Sequence, residues 1–345
     1  MKTTSKSSSK KTKKKVSKKK SSSKKASLKP SKKRIEPKRG KRIAAIDVGS
    51  NGIRMVIGEI QKDSGLKAIY SQREAVRLGR DVFRDGYIRE STARKALRAF
   101  LKFKKVLTEY GIKNYRAVAT SAVRDALNGR EFVKYLKELS SLNLEVIDGV
   151  KEGKLIHMAI TTQIPLMSRM ALLIDIGGGS VELTVSHYGK IMAVETFRLG
   201  TVRLMNQTDM FFFGSKLRRL ESILKKQSPK LRQFLKRHLG QRKDFVMIGT
   251  GGNIECLGDL SSILKDKSAE SMSFASLKAM VKTLDSMTYD ERIKSLGLRT
   301  DRADVILPAA LALRMVMGLV GAKDILIPHV GLKDGVLIDL ARRVN

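Results

Sequence analysis

The residue types and spacing best suited to chemistry lie in Leu172–Leu183, which reads Leu-Leu-Ile-Asp-Ile-Gly-Gly-Gly-Ser-Val-Glu-Leu. An apolar, β-branched run ends at Asp175, three glycines and Ser180 follow, and a second strand-like run carries Glu182. That pattern is a strand, a tight turn and a strand. Gly177, Gly178 and Gly179 lack the Cβ atoms that would keep an anion from backbone N–H groups, and the two carboxylates flank the turn where a metal could sit. Ile43–Met55 repeats the plan with Asp47, Gly49, Ser50, Asn51 and Arg54. Two such hairpins, with their aspartates 128 positions apart, predict a duplicated domain that holds a phosphate between its halves.

Other segments must position these turns. Val76–Leu78 reads as a strand, and Ser91 reads as the N-cap of a helix whose apolar face carries Ala93, Leu97, Phe100, Leu101 and Leu107. Arg116–Ala119 is strand-like and runs into Thr120, Ser121 and Arg124, so hydroxyls and N–H groups gather at a helix start that suits an anion. Arg124 either faces that mouth or sits on a solvated helix face. Strand Leu144–Ile147 leads to a helix beginning near Glu152, a position where surface solvation is the usual fate of a glutamate. Val181–Ser186 and Ile191–Phe197 form a hairpin, and strand Phe245–Ile248 feeds a third glycine turn through Thr250 and Gly251. Cys256 reads as a small buried hydrophobe.

Composition bounds the remaining possibilities. A chain of 345 residues, 42% hydrophobic, can bury two cores. No apolar run reaches the length of a membrane span, and the N-terminus has no apolar signal core. One cysteine and four histidines exclude an internal disulfide and make a cysteine- or histidine-based metal centre a poor fit; both fit a soluble, cytoplasmic protein. The net charge is +37, of which residues 1–40 carry +17 through eighteen Lys or Arg against Glu36 alone. This Lys/Ser tail, residues 1–41, is predicted to be disordered; it is either a tether for polyanions or a solubilising extension. A second basic concentration comprises Lys216, Arg218, Arg219, Lys225, Lys226, Lys230, Arg232, Lys236 and Arg237, on helical segments expected to break at Pro229. Its face is either solvated surface or a track for a polyanion. Aromatic residues are 5% and Trp is absent, which gives little support to base stacking on nucleic acid.

The order of these motifs resembles the exopolyphosphatase and guanosine pentaphosphate phosphatase family. The resemblance rests on Ile-Asp-x-Gly-Ser-Asn at 46–51, Ala-Thr-Ser-Ala-x-Arg at 119–124, Gly-x-x-Glu at 149–152 and Asp-Ile-Gly-Gly-Gly-Ser-x-Glu-Leu at 175–183. It continues through Leu199–Leu204, Gly249–Gly252, Gly297–Ile306 and Gly331–Gly335. It implies an actin-like ATPase fold: two ribonuclease-H-like α/β domains, here 42–166 and 167–345, with the active site in the cleft between them and the last helix packing back on the first domain. Carried over by position, Glu152 is the general base, Arg124 clamps phosphate, Asp175 and Glu182 hold Mg²⁺, and the glycine turns bind phosphate. The implied reaction is removal of the terminal phosphate of polyphosphate; the alternatives are hydrolysis of guanosine pentaphosphate, as in the stringent response, and a non-catalytic protein that binds polyphosphate or an alarmone. A homodimer is implied as well. Longer relatives carry a helical domain with a His-Asp motif that has no counterpart here, which matches the short, two-domain form. The chain departs from the family at Gly52 and Gly251, where serine is usual, and at Lys151 and Lys154, where an acid and an arginine are usual; these departures bear on rate and on substrate preference.

Overall fold

Aliphatic runs that bury side chains on both faces build two central sheets. The computed structural model describes residues 41–61, 65–209, 215–242, 244–263 and 269–344. The basic tail, apart from Lys41, lies outside the described residues. The first sheet contains β1 (Arg42–Gly49), β2 (Gly52–Ile60), β3 (Leu66–Glu74), β4 (Asn114–Ala119) and β5 (Glu145–Val146), in the order β3-β2-β1-β4-β5. The second contains β6 (Met170–Ile176), β7 (Val181–His187), β8 (Lys190–Phe197), β9 (Phe245–Thr250), β10 (Ser271–Ser273) and β11 (Asp324–Leu326), in the order β10-β11-β9-β6-β7-β8. In each sheet three strands form an antiparallel meander. The first strand of each meander then pairs in parallel with a strand reached through a crossover, β1 with β4 and β6 with β9. The same topology therefore occurs twice, the duplicated ribonuclease-H-like unit of the actin-like ATPase fold.

Each sheet has its own core. Ala44, Ile46, Val48, Phe100, Phe103 and Leu136 pack on one face of the first sheet, and Leu172, Ile174, Leu183, Leu257 and Leu311 belong to the larger core of the second. The opposite face of β1 is covered by Val336, Leu337 and Leu340 of the closing helix Leu332–Val344, together with Leu155 of the helix Gly149–Thr161. A Cβ at Gly335 would overlap the carbonyl oxygen of Leu155, so the two helices meet backbone to backbone there.

Four local expectations change. Val76–Leu78 is not a strand: the edge strand is β3, Leu66–Glu74, whose polar, half-exposed sequence hides the alternation, and Leu78 opens the helix Leu78–Asp85. The next helix starts at Glu90, so Ser91 lies inside it and caps nothing. Leu101 is exposed while Ala96, Ala99 and Phe103 are buried, a rotation of the predicted face. Pro229 does not break its helix, which runs unbroken over Lys216–Leu239. The Ser228 hydroxyl donates to the Lys225 carbonyl at 2.8 Å, supplying the bond that the missing proline N–H leaves out.

Gly335→Ala should lower the unfolding free energy by about 1–3 kcal/mol, because the added methyl has no space between two backbones. Urea denaturation of the full chain checks this, and an unchanged midpoint would show that the helices do not meet there.

Candidate active site

Strand register places the central groups. In the β6–β7 hairpin Asp175 stands opposite Glu182, and on the other side of β6 it stands beside Thr250. The Thr250 hydroxyl donates to Asp175 Oδ1 at 2.8 Å, which turns that carboxylate toward the cavity. The first hairpin has the same geometry with different chemistry: Asp47 faces Arg54 across the register and accepts a bond from it at 3.3 Å. Glu152 lies in the first turn of the helix Gly149–Thr161, whose start is fixed by Asp148 accepting from the Lys151 N–H at 2.7 Å. Contrary to the usual fate of a helical glutamate, Glu152 is buried, at 6% exposure.

These elements bring together one oxygen each from Glu152, Asp175 and Glu182, all within 4.8 Å of one another. Glu182 is 2% exposed. Neither of its carboxylate oxygens, nor Oε2 of Glu152, has a well-formed hydrogen bond among the described residues. Burial pushes the Asp175 carboxyl up to about 6, against the pull of Thr250. Burial, reinforced by Asp175, pushes Glu182 to about 8, while Ser180 and Arg124 pull it down. Burial first, then Glu182 and Asp175, holds Glu152 well above the ordinary range. Three mutually repelling carboxylates, Glu152 and Glu182 buried and Asp175 half-buried, with Thr250 on Asp175 as the one firm donor, are costly unless a cation joins them. Oxygen-only ligands of this kind suit a hard divalent ion, so the residues fit the group.

The cavity beside this cluster is lined by both glycine turns: Gly49, Ser50 and Asn51 from the first, and Gly177, Gly178 and Ser180 from the second, with Gly251 from the third. Gly179 packs behind the turn, where a Cβ would press on Phe83 and Ser121. The Ser50 and Ser121 hydroxyls are 3.0 Å apart. Ser121 begins a helix of a single turn, Ser121–Asp125, directly after β4, and Thr120 and Ser121 line the cavity. Arg124 does not line the cavity floor. Its Nη1 donates to the Ile147 carbonyl at 2.8 Å and stands 3.7 Å from Glu152 Oε2, at the rim.

The cavity also has a cationic wall, of which only Arg54 was predicted. Arg73, Arg302 and Lys333 line it too, with Asn253 and Glu255. Arg73 reaches across from β3 to donate to the Asn51 carbonyl at 2.9 Å and to Asp301. A Cβ at Gly52 would lie 2.7 Å from the Arg73 guanidinium, so the glycine admits this arginine where a serine would exclude it. Gly251 has φ +86° and a Cβ there would lie 2.6 Å from Asp175 Oδ1, which excludes serine on both counts. Arg302 is 5% exposed and bonded to Asn253, and its burial lowers the guanidinium to about 10. Arg203 was also missed as a functional residue: it donates to the Gly179 carbonyl at 2.8 Å, pairs with Asp125 at 2.5 Å and stacks on Phe83, tying the second turn to the first half. Arg203, Arg302 and Lys333 lie in the segments Leu199–Leu204, Gly297–Ile306 and Gly331–Gly335, which the sequence marked only through the family resemblance, and Arg73 lies on β3, where nothing in the local pattern marked it. Lys151 pairs with Glu145 and Lys154 is exposed, so neither departure enters the cavity.

The nine basic residues expected to form one track divide around the helix Lys216–Leu239. Lys230 and Arg237 face β8, whereas Lys225, Arg232 and Lys236 border grooves on another side of the helix. Lys216, Arg218, Arg219 and Lys226 line none of these grooves.

Residues 56–344 match the Ppx/GppA phosphatase family. A bifunctional 3-dehydroquinate synthase/phosphatase of Fusobacterium nucleatum is 27% identical over 299 residues, covering 82% of this chain and 44% of that protein, so the chain spans less than half of this relative. Exopolyphosphatase 2 of Mycobacterium tuberculosis is 24% identical over 317 residues, covering 87% and 98%. The crystal structure of an exopolyphosphatase from Cytophaga hutchinsonii superposes with a TM-score of 0.79 at 26% identity, covering 88% of this chain and 99% of that one. No described helix is long and apolar enough to cross a membrane.

The carboxylate cluster carries a pH signature. A carboxyl whose pKa is higher folded than unfolded contributes stability that is present at low pH and lost as pH rises through the folded value. For Asp175 and Glu182 that window runs from about 4, where the unfolded carboxyls ionise, to about 8. In EDTA the melting temperature should therefore fall by roughly 2–5 °C between pH 5.5 and 8.5, and Glu182→Gln should remove most of the fall. A flat or rising profile in the unsubstituted protein would contradict the cluster's burial.

Proposed function

The chain belongs to the Ppx/GppA phosphatase family, and on that premise we propose that it is an exopolyphosphatase that hydrolyses the terminal phosphoanhydride of inorganic polyphosphate in the cytoplasm, with Mg²⁺ as cofactor. The observation that carries this reading is the lining of one cavity, in which the carboxylates of Glu152 and Asp175, the cations Arg54, Arg73, Arg302 and Lys333, and the glycine turns come together. Such a site matches a chain of phosphates with a cation at its terminal group. No aromatic side chain is among the lining residues, so the cavity offers no stacking surface to a purine. This favours the inorganic chain over guanosine pentaphosphate.

The roles follow from position. Asp175 and Glu182 would hold Mg²⁺, which when bound supplies charge neutralisation at the phosphoryl oxygens. Glu152 orients the attacking water and accepts its proton; the raised pKa that burial gives this carboxyl makes it a competent base once a cation relieves the repulsion from its neighbours. Water oxygen bonds to the terminal phosphorus, the bridging P–O bond breaks, and the shortened chain departs with the electron pair. Arg124, at the rim beside Glu152, and the N–H groups of the glycine turns stabilise the oxygens of the transferred group. The cationic wall holds the phosphates behind the terminal one.

Glu152→Gln should cut phosphate release by about 10²–10⁴-fold while polyphosphate affinity holds within about threefold. Phosphate release is measured with Mg²⁺ on long polyphosphate and on guanosine pentaphosphate side by side. An unchanged rate in the variant removes Glu152 from the role of base, and a preference for the nucleotide overturns the substrate assignment.

Deleting residues 1–40 should weaken binding of long polyphosphate at low salt more than it lowers turnover of tripolyphosphate, because a +17 tail acts through screened electrostatics. Equal effects on both would reject the tail as a tether.

A further inference from the structure

Outside the active-site cavity, the helix Lys216–Leu239 and strand β8 enclose a groove lined by Lys230, Arg237, His238 and Arg198, with Gln227, Gln233 and one acid, Glu195. Gln227, Lys230, Phe234, Arg237 and His238 recur at helical spacing, so one face of the helix supplies this wall. Phe234 is its apolar base, buried against Phe197 and against the His238 ring. Lys230 and Arg237 are exposed, and neither has a carboxylate partner among the described residues. Cations without partners along a groove repel one another and favour an anionic occupant.

The groove is joined to the reaction centre by one residue. Arg198, whose side chain is 72% exposed, lines the groove and stands 3.6 Å from Asp125. Asp125 is shared: Arg203 pairs with it at 2.5 Å and Arg124 stands 3.9 Å away. Three guanidiniums around one carboxylate leave a net charge of +2 at the rim of the cleft. Arg124 is in turn 3.7 Å from Glu152. A path of positive charge thus runs from the base at Glu152 over Arg124 and Arg198 to Lys230 and Arg237.

We propose that this groove is a second binding site for the distal phosphates of a long linear polyphosphate, whose terminal phosphate occupies the cleft. The inference rests on the exopolyphosphatase reading for the occupant of the cleft, and on the groove alone for the occupant of the second site. The site makes no bond to the reacting phosphate, so its effect is on chain-length preference. A triphosphate has no distal phosphates and serves as the comparison. Glu195 is the one residue that opposes an anion there, and it sits among three cations and a histidine.

The test compares full-length protein, the groove variant R198E/K230E/R237E and a charge-matched control, K95E/K137E/K282E, whose lysines are exposed on other helices. Steady-state phosphate release is measured with Mg²⁺ on long-chain polyphosphate and on tripolyphosphate over a range of salt. In the groove variant the ratio of kcat/KM for the long chain to that for tripolyphosphate should fall by about tenfold or more at low salt, and the salt dependence on the long chain should become shallower. The control should keep the ratio of the unsubstituted protein. An unchanged ratio in the groove variant, or an equal fall in the control, overturns the site. Fluorescence anisotropy with labelled long-chain polyphosphate, in a Glu152→Gln background, separates this from the catalytic reading. If the unsubstituted protein releases no phosphate from either probe, that reading fails, and the groove is upheld by weaker long-chain binding in the groove variant alone or overturned by equal binding.

Discussion

Crowding of three carboxylates, two buried and one half-buried, is the constraint from which the rest of the site follows. Glu152, Asp175 and Glu182 come from three elements, and each would be more stable solvated or paired. The fold keeps them together because strands β6 and β7 fix Asp175 opposite Glu182 and because the helix of Glu152 is pinned from behind by the closing helix at Gly335 and Leu155. Among the described residues only Arg124 pairs with one of the three, Glu152, at 3.7 Å. The other cations of the cavity, Arg54, Arg73, Arg302 and Lys333, line the same space, where Arg54, Arg73 and Lys333 are held by Asp47, Asp301 and Asp334. Acids suited to a metal and cations suited to phosphate therefore meet in one cavity.

The duplication gives this meeting of charges an economical basis. Both halves present a strand, an aspartate, a glycine-serine turn and a second strand, yet the position across from the aspartate is Arg54 in one and Glu182 in the other. One substitution of sign turns a closed ion pair into an acidic cluster with unmet coordination. The halves are held around the cavity by bonds that cross between them: the Asn51 side chain donates to the Asp301 carbonyl at 2.7 Å, Arg77 pairs with Asp304 at 2.8 Å, and Arg203 spans Gly179 and Asp125. The two glycine positions that depart from the family pattern belong to the same architecture, since Gly52 admits Arg73 and Gly251 accommodates Asp175.

The hairpins were legible in the sequence because their information is local: apolar alternation, a carboxylate and a glycine run within a dozen residues settle the turn, and register follows from it. The cationic wall was not, because Arg73 and Arg302 reach it only through contacts formed by the tertiary fold; Arg73 and its partner Asp301 are 228 positions apart. The burial of Glu152 was likewise invisible, since a helix start reads the same whether its first turn meets water or a second domain. Resemblance to a family pointed to that residue where local pattern did not. Pro229 shows the reverse error: the helix-breaking rule held for the proline's own missing N–H, but the Ser228 hydroxyl satisfies the carbonyl and packing of Leu224, Leu231 and Leu235 holds the helix together.

The acidic cluster is a cation site in this reading, and calorimetric titration of the full-length protein with Mn²⁺, repeated in buffers of different ionisation enthalpy, tests that most directly. One ion should bind per chain near pH 7 with release of a proton, because burial lifts Glu182 to about 8 and a bound cation draws that proton off, and binding should be lost in Asp175→Asn. Binding that survives this substitution, or that releases no proton, would contradict the account.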